Sequence, residues 1–426
     1  MGLMSRTSLQ YIPLALLLAC TSSEPAPVVT EVESSPVEVS EEVVEAKPPP
    51  KLDCAKTDPD DRWVKALLKR ALPKNEVVAH PDFYRLQVVV GEIVSSGTSR
   101  CITWHPYRLG AEYYYPASAI KPIAAVGALH TFRTRKAEDP RLAHVDLNTP
   151  VRVEGADPGP DGLPVWTTVT KEIRAALEVS SNPAYNFTVD LAGYGQMHEL
   201  MWATGLKSVR LRHRLSVWGL GRAAQRTTSR ILAKPDNAEV ELVARRVSKT
   251  QVKPHGQPGW EVGAFHRERG NALPVAGPMD FSQKNAVSLM DLTRLTAWIA
   301  DPALAPRLAF PALHPEDRLL IRDAMSQVPD NWTLWKPLRA GVVEVIPGED
   351  LFYMHKSGMA YGFFLDVGYV EQKSTGRAFL LGLSAHLNSN GIVNDGTYDY
   401  ERLGQPMLRR LGQRLAHELL AVEGTP

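Results

Sequence analysis

Residues 115–122 read Tyr115-Pro116-Ala117-Ser118-Ala119-Ile120-Lys121-Pro122 and lead into an apolar helical run, Ile123 to Leu129. A serine and a lysine three apart at a helix start lie one turn apart on one face, so the amine can reach the hydroxyl. Serine is a weak nucleophile at its ordinary pKa. A lysine whose charge is disfavoured by desolvation and by a second cation can take its proton. The S-x-x-K spacing alone recurs by chance, and the bland alternative is a serine that merely starts a helix. Two more stretches bear on it. Ser180-Ser181-Asn182-Pro183-Ala184-Tyr185-Asn186 follows an amphipathic run, Ile173 to Val179, and His355-Lys356-Ser357-Gly358 opens a strand ahead of a hairpin-like pair.

Working outward, Asp60 to Leu72 reads as a helix that Asp60 and Asp61 can cap, with Trp63, Val64, Leu67, Leu68 and Ala71 on one face. Tyr84 to Val94 and Cys101 to Trp104 read as strands joined through Ser96-Gly97. Near the other end, Phe363 to Val370 and Ala378 to Leu387 are strand-like about a polar turn, and Met407, Leu411, Leu415 and Leu419 mark an amphipathic last helix. Between them, from about 117 to 338, the pattern is mostly helical, as in Leu289 to Ile299 and Glu316 to Met325. The expected fold is an α+β sandwich: an antiparallel sheet built from both chain ends, flanked by helices, plus a mostly helical subdomain.

The 426 residues are 44% hydrophobic and 22% charged, which excludes simple disorder and fibres. A formal charge of +1 gives no global field for nucleic acid or an anionic membrane. The charge is uneven, however. From Lys207 to Lys253 twelve Lys or Arg stand against three acidic residues, Asp236, Glu239 and Glu241. No nucleic-acid motif accompanies this stretch, so it reads as a solvated face or one that leans on an anionic cell envelope.

Arg6 and the short apolar run Ile12 to Ala19 have the size of a signal-peptide core and are too short to span a bilayer. Leu17-Leu18-Ala19-Cys20 resembles a bacterial lipobox, in which Cys20 is lipidated after residues 1–19 are removed; the alternative is an ordinary secretory signal. Thr21 in place of Asp suggests outer-membrane sorting in a two-membrane cell. Residues 20–52 are rich in Glu, Val, Ser and Pro and read as a disordered acidic tether. The catalytic body is then 53–426. Cys54 and Cys101 could pair in an oxidising compartment or remain separate thiols.

The three stretches, in this order and on these element types, resemble the serine β-lactamase and penicillin-binding superfamily, most closely its class A β-lactamase-like branch, whose motifs are S-x-x-K, S-D-N and K-T-G or K-S-G. The resemblance extends from about Arg62 to the C-terminus and includes Val145 to Val151. It implies that Ser118 is the nucleophile that forms an acyl-enzyme and Lys121 its base. Ser180 would relay the proton to the leaving nitrogen, and Asn182 would hold Lys121 and the substrate's side-chain amide. Lys356 and Ser357 would bind a substrate carboxylate beside Gly358, and the N–H groups of Ser118 and Met359 would hold the oxyanion. No metal cluster or phosphate loop is seen, so no cofactor is expected.

The pattern departs from that family in several places. Ser181 stands where Asp is usual. The segment Gly205 to Ser216, where a deacylating glutamate is expected, has none. His213 is a candidate base or a structural loop histidine. An insertion of about 218–278 offers Glu239, Glu241, Glu261 and Glu268, with nothing to single one out. No arginine lies within Phe363 to Val370. Three functions remain in play: hydrolysis of a β-lactam or related amide through an acyl-enzyme, a peptidoglycan D,D-peptidase or esterase with slow β-lactam release, and a non-catalytic envelope-binding lipoprotein. The expected partners are a small β-lactam or D-amino-acid peptide, the cell envelope and, through the lipid, a membrane, with no nucleic acid. The expected location is the periplasmic face.

Overall fold

Apolar and β-branched runs near the two chain ends pair with each other. In the computed structural model, which describes residues 56–96, 99–157, 163–217, 226–236, 238–271, 273–305, 313–327 and 336–421, β1 (Gln87–Ser96) and β2 (Ser99–Tyr107) form a hairpin. Strands β3 (Leu351–Ala360), β4 (Phe363–Gln372) and β5 (Ala378–His386) form a meander. Antiparallel pairing of β1 with β5, Gln87 opposite Ser384 and Ile93 opposite Ala378, closes a five-stranded sheet in the order β3-β4-β5-β1-β2. The chain falls into two units, Met1–Pro48 and Pro49–Pro426, and every described residue belongs to the second. The expected signal sequence, Cys20, the whole tether and Cys54 lie outside the described residues.

The sheet is covered on both faces, which is why its strands read as nearly unbroken apolar runs. Val88, Val90, Phe379, Leu381 and Leu383 face one core, while Val89 and Leu380 face the other. The described helices are α1 (Arg62–Ala71), α2 (Glu76–Ala79), α3 (Lys121–Glu138), α4 (Val169–Leu177), α5 (Asn182–Ala192), α6 (Tyr194–Ala203), α7 (Leu289–Ala300), α8 (Pro315–Ser326), α9 (Pro337–Val342) and α10 (Gln405–Leu415). Val64, Leu67 and Leu68 of α1 and Met407, Leu411 and Leu415 of α10 pack on the first face. Helix α3, buried along most of its length, centres the second core. This is the architecture expected from the sequence.

Several details differ. At the start of α1 it is Asp60 whose carboxylate accepts the Arg62 N–H, at 3.0 Å, while Asp61 makes no side-chain cap. The last helix widens into a π turn over Ala416–Leu420, so the fully buried leucine after Leu415 is Leu420, and Leu419 is only half-buried. The K-S-G stretch lies in the second half of β3 rather than opening it. The largest difference is in the middle. Between α6 and α7 the described residues form short strands such as Ile231–Ala233 and Val240–Val243, and no helix. The prolines, glycines and β-branched residues of 226–280 suit short strands better than helical turns. Cys101 is disulfide-bonded. Beside it the chain entering the body runs along β2, with the Trp104 N–H donating to the Lys56 carbonyl at 2.8 Å.

Candidate active site

The three stretches meet at the start of α3. Ser118 lies in a single 3-10 turn, Ala117–Ile120, and the Lys121 N–H donates to the Ser118 carbonyl as that turn passes into α3. Pro122, in the first turn of α3, removes one N–H that the helix would leave unsatisfied anyway. Ala117 holds a left-handed φ of 46° and Ser180 one of 57°. Such backbone costs of order 1–3 kcal/mol per residue and persists only where the surroundings enforce it. At Ser180 it sets the hydroxyl between Lys121 and Lys356.

Lys121 is fully buried. Its Nζ donates to the Ser180 carbonyl and to Asn182 Oδ1 at 2.8 Å, and lies 3.1 Å from Ser180 Oγ. Both first partners are pure acceptors, so two N–H bonds satisfy a neutral amine and leave its lone pair for a hydroxyl. The electrostatics agree. Burial, reinforced by the nearby Lys356 charge, pulls Lys121 down to about 6. Lys356, on β3, reaches Ser180 Oγ from the other side at 3.0 Å. Burial lowers it to about 8, opposed by Asp366. Ser180 Oγ thus bridges two lysines, one more basic than the other.

Gly358 is required by close approach. A Cβ there would collide with the Pro116 carbonyl and lie 3.0 Å from Ala119 N and 3.1 Å from Ser118 N. The absence of a side chain lets β3 pass directly against the turn that carries Ser118. Ser357 and Met359 flank it, opposite Asp366 and Phe364 of β4. Behind Ser357, buried His355 and Asp366 are bonded at 2.9 Å and stiffen the strand.

The segment 205–216 also comes to the site, held residue by residue. Asn285 Oδ1 accepts the Arg212 and His213 N–H groups at 2.7 and 3.1 Å. Arg214 pairs with buried Asp190 of α5. Asn186, one turn after Asn182, exchanges two bonds with the Leu215 backbone, each 2.9 Å. Ser216, in a left-handed conformation with φ 55°, then accepts the Asn182 Nδ2 proton at 2.7 Å. So the loop meets the Lys121–Asn182 pair with a hydroxyl, and its neighbour there is a buried leucine. Sequence reasoning missed Asn186 and Ser216. Asn186 had a signal, since it lies four residues after Asn182 on one helix face.

The other candidates fall elsewhere. Among the described residues no carboxylate is hydrogen-bonded to Lys121, Ser180 or Asn182. Glu239 pairs with Arg152 at 2.7 Å, Glu241 with Arg230 at 2.6 Å, and Glu268 accepts from Asn271 at 3.0 Å. The Glu261 carbonyl accepts from Arg85. His213 is half-buried, lowered to about 4 by desolvation, and stacked parallel to Tyr115. Its Nδ1–H donates to the Arg214 carbonyl at 2.7 Å, which leaves Nε2 as the acceptor nitrogen. Among the described residues no group of three or more His, Cys, Asp or Glu side chains could hold a metal ion.

No family model matches the chain, and no curated protein does. Among solved structures it is similar to a β-lactamase from Desulfarculus baarsii (15% identity, 85% of this chain and 99% of that one, TM-score 0.48). It is similar also to a β-lactamase from Xanthomonas campestris pv. campestris (14%, 84% and 97%, 0.47). A third is a PBP-A mutant in an acyl-enzyme complex with penicillin G (14%, 86% and 98%, 0.49).

Proposed function

We propose that the chain is a serine hydrolase that acylates Ser118 with a β-lactam or a related amide. The observation that carries this reading is the Lys121–Ser180–Lys356 relay beside Ser118. Neutral Lys121 takes the Ser118 proton as Oγ attacks the substrate carbonyl. The Ser118 and Met359 N–H groups receive the developing oxyanion. The proton then passes from Lys121 through the Ser180 hydroxyl to the leaving nitrogen, and the C–N bond breaks. Lys356 and Ser357 hold a substrate carboxylate, and the Lys356 charge keeps Lys121 deprotonated.

Release of the acyl group needs an activated water. The hydroxyl of Ser216, rather than a carboxylate, at the Asn182 end of the relay favours a second reading within the same chemistry: a D,D-peptidase or penicillin-binding enzyme that turns β-lactams over slowly. Cys20 and the tether support export, lipid anchoring at the outer membrane and work beside peptidoglycan.

The test incubates the full chain with a fluorescent penicillin and with nitrocefin, alongside Ser118→Ala and Lys121→Ala. Label on the wild type that Ser118→Ala abolishes is the expected result. Rapid nitrocefin turnover selects the β-lactamase reading, and stable label without turnover the penicillin-binding one. No label from any β-lactam or activated ester overturns both and leaves an envelope-binding protein. For the anchor, incorporation of radiolabelled palmitate that Cys20→Ala abolishes is expected; equal incorporation by the variant overturns it.

A further inference from the structure

The acylation chemistry places one end of a substrate and leaves the other end open. Its leaving nitrogen and the carboxylate beyond it lie toward Ser180, Lys356 and Ser357. The acyl substituent, bonded to the other side of the reacting carbonyl, must run the opposite way. It passes between the end of β3 beyond Met359 and the loop that ends at Ser216.

Aromatic rings line that gap. β3 ends in a two-residue turn, Tyr361-Gly362, with φ of 56° and 85°, between the paired residues Ala360 and Phe363. The turn sets the Tyr361 ring against Tyr115, three residues before Ser118, with centroids 5.3 Å apart, and against Phe281 at 5.4 Å. Tyr115 in turn stacks on His213 of the loop. Lys284 reaches these rings from the segment that leads into α7. The segment is fixed: the Lys284 N–H donates to the Phe281 carbonyl at 2.9 Å, and the next residue, Asn285, is the one that holds the Arg212 and His213 backbone.

The Lys284 ammonium lies over the Tyr361 ring, 5.8 Å from its centre, and its charge also bears on His213. It therefore stands between the tip of β3 and the loop. Lys284 is half-buried, and desolvation pulls its pKa down, opposed by Asp280. Yet among the described residues its Nζ makes no hydrogen bond and no ion pair. Asp280 is too far for one and accepts the Ser282 N–H at 2.6 Å. Lys121 and Lys356, by contrast, are both hydrogen-bonded to Ser180. An ammonium that has given up water without gaining an anion is unfavourable, and at the edge of a substrate cleft the substrate can bring that anion.

We propose that Lys284 is a specificity-determining residue that pairs with a second carboxylate on the acyl side of the substrate. The inference rests on the acyl-enzyme reading and adds a substrate class to it: dianionic β-lactams or D-amino-acid amides, one carboxylate at Lys356 on the leaving side and one at Lys284 on the acyl side. A neutral acyl chain would strip water from the ammonium and return nothing, so the same lysine selects against it.

The experiment measures Ser118 acylation rates by competition with fluorescent penicillin, using two pairs of compounds that differ in one acyl-side carboxylate. The short pair is α-carboxybenzylpenicillin against benzylpenicillin; the long pair is glutaryl- against pentanoyl-6-aminopenicillanic acid. In at least one pair the dianion should acylate about tenfold faster at low ionic strength, with the advantage shrinking as potassium chloride screens the pair. Lys284→Met should abolish that advantage, Lys284→Arg should keep most of it, and Lys284→Glu should invert it. Each comparison is a ratio within one protein, so a partly unfolded variant lowers both rates and leaves the ratio intact. Equal rates within both pairs, or an advantage that survives Lys284→Met, overturn the proposal while acylation of Ser118 stands. No acylation of Ser118 by any of these compounds overturns the serine-hydrolase reading and this proposal with it.

Discussion

The two walls of the site are built to different standards. On one, α3, the Ser180 turn and β3 hold Ser118, Lys121, Ser180 and Lys356 with strained backbone at two positions, a glycine cut-out at a third and an amine brought near neutrality by burial. On the other, the loop ending at Ser216 is held as firmly, with a partner for each residue from Arg212 to Ser216, Asn285 serving the first two, but what it presents is a hydroxyl beside a buried leucine. Rigidity is therefore common to both walls, and only one carries a group that titrates usefully near neutral pH. Forming an ester and releasing it are separable tasks, and on this reading the molecule is equipped for the first.

The sharpest way to break that contrast is at Lys121. Lys121→Ala is expected to slow penicillin labelling about 10³-fold, within the usual range for a general base. For the wild type, the labelling rate should climb as pH rises through about 6, where Lys121 becomes neutral, and fall again above about 8, where Lys356 loses its charge. Labelling rates from pH 5 to 9.5 check this, and a flat profile would remove Lys121 as the base.

Gly358→Ala tests the close approach of β3. The new methyl must displace the Pro116 carbonyl or the strand, so labelling should drop roughly 10²-fold with far-UV circular dichroism preserved. Unchanged labelling would mean the strand can give way.

Ser216→Asp tests the second wall. Aspartate tolerates the left-handed backbone and sets a carboxylate against Asn182. Nitrocefin turnover should rise by about tenfold, within what a positioned base supplies, while acylation changes little. No gain would show that release is limited by something other than the missing carboxylate.

The smallest effect lies far from both walls. Buried His105 sits between Asp58 (2.6 Å) and Glu92 (3.4 Å), and these bonds raise its pKa against burial. A raised histidine contributes stability below its unfolded pKa and loses it as pH climbs through the folded value. Asp58→Asn should therefore lower the thermal midpoint by about 1–2 °C at pH 6 and by less at pH 9. An equal drop at both pH values would assign the effect to packing.

That the residues of the first wall come together was legible because they sit in short contiguous motifs. Lys356 and Gly358 share one strand, while Ser118 with Lys121 and Ser180 with Asn182 each straddle the start of a helix. The second wall was not legible, because its geometry comes from long-range pairing: Asn285 with His213, Asp190 with Arg214, Asn186 with Leu215. Nothing in the local sequence of 205–216 specifies those partners. The sheet was readable from its ends because apolar runs announce buried strands. The strands of the insertion were not legible, since strands of two to four residues are too short to display a period. Leu420 replaced Leu419 because one π turn shifts every later side chain by a residue.

The pairing of β1 with β5 also bears on how such a molecule can be made. Gln87 meets Ser384 only when nearly the whole chain exists, and β3, which completes the site, is joined to β1 only through β4 and β5. A nascent chain carries Ser118 and Lys121 early, yet has no sheet on which to assemble them. Contacts this distant in sequence form late and slowly. A chain that stops anywhere before β5 thus lacks the strand that ties β3, and with it Lys356, to the sheet beside Ser180.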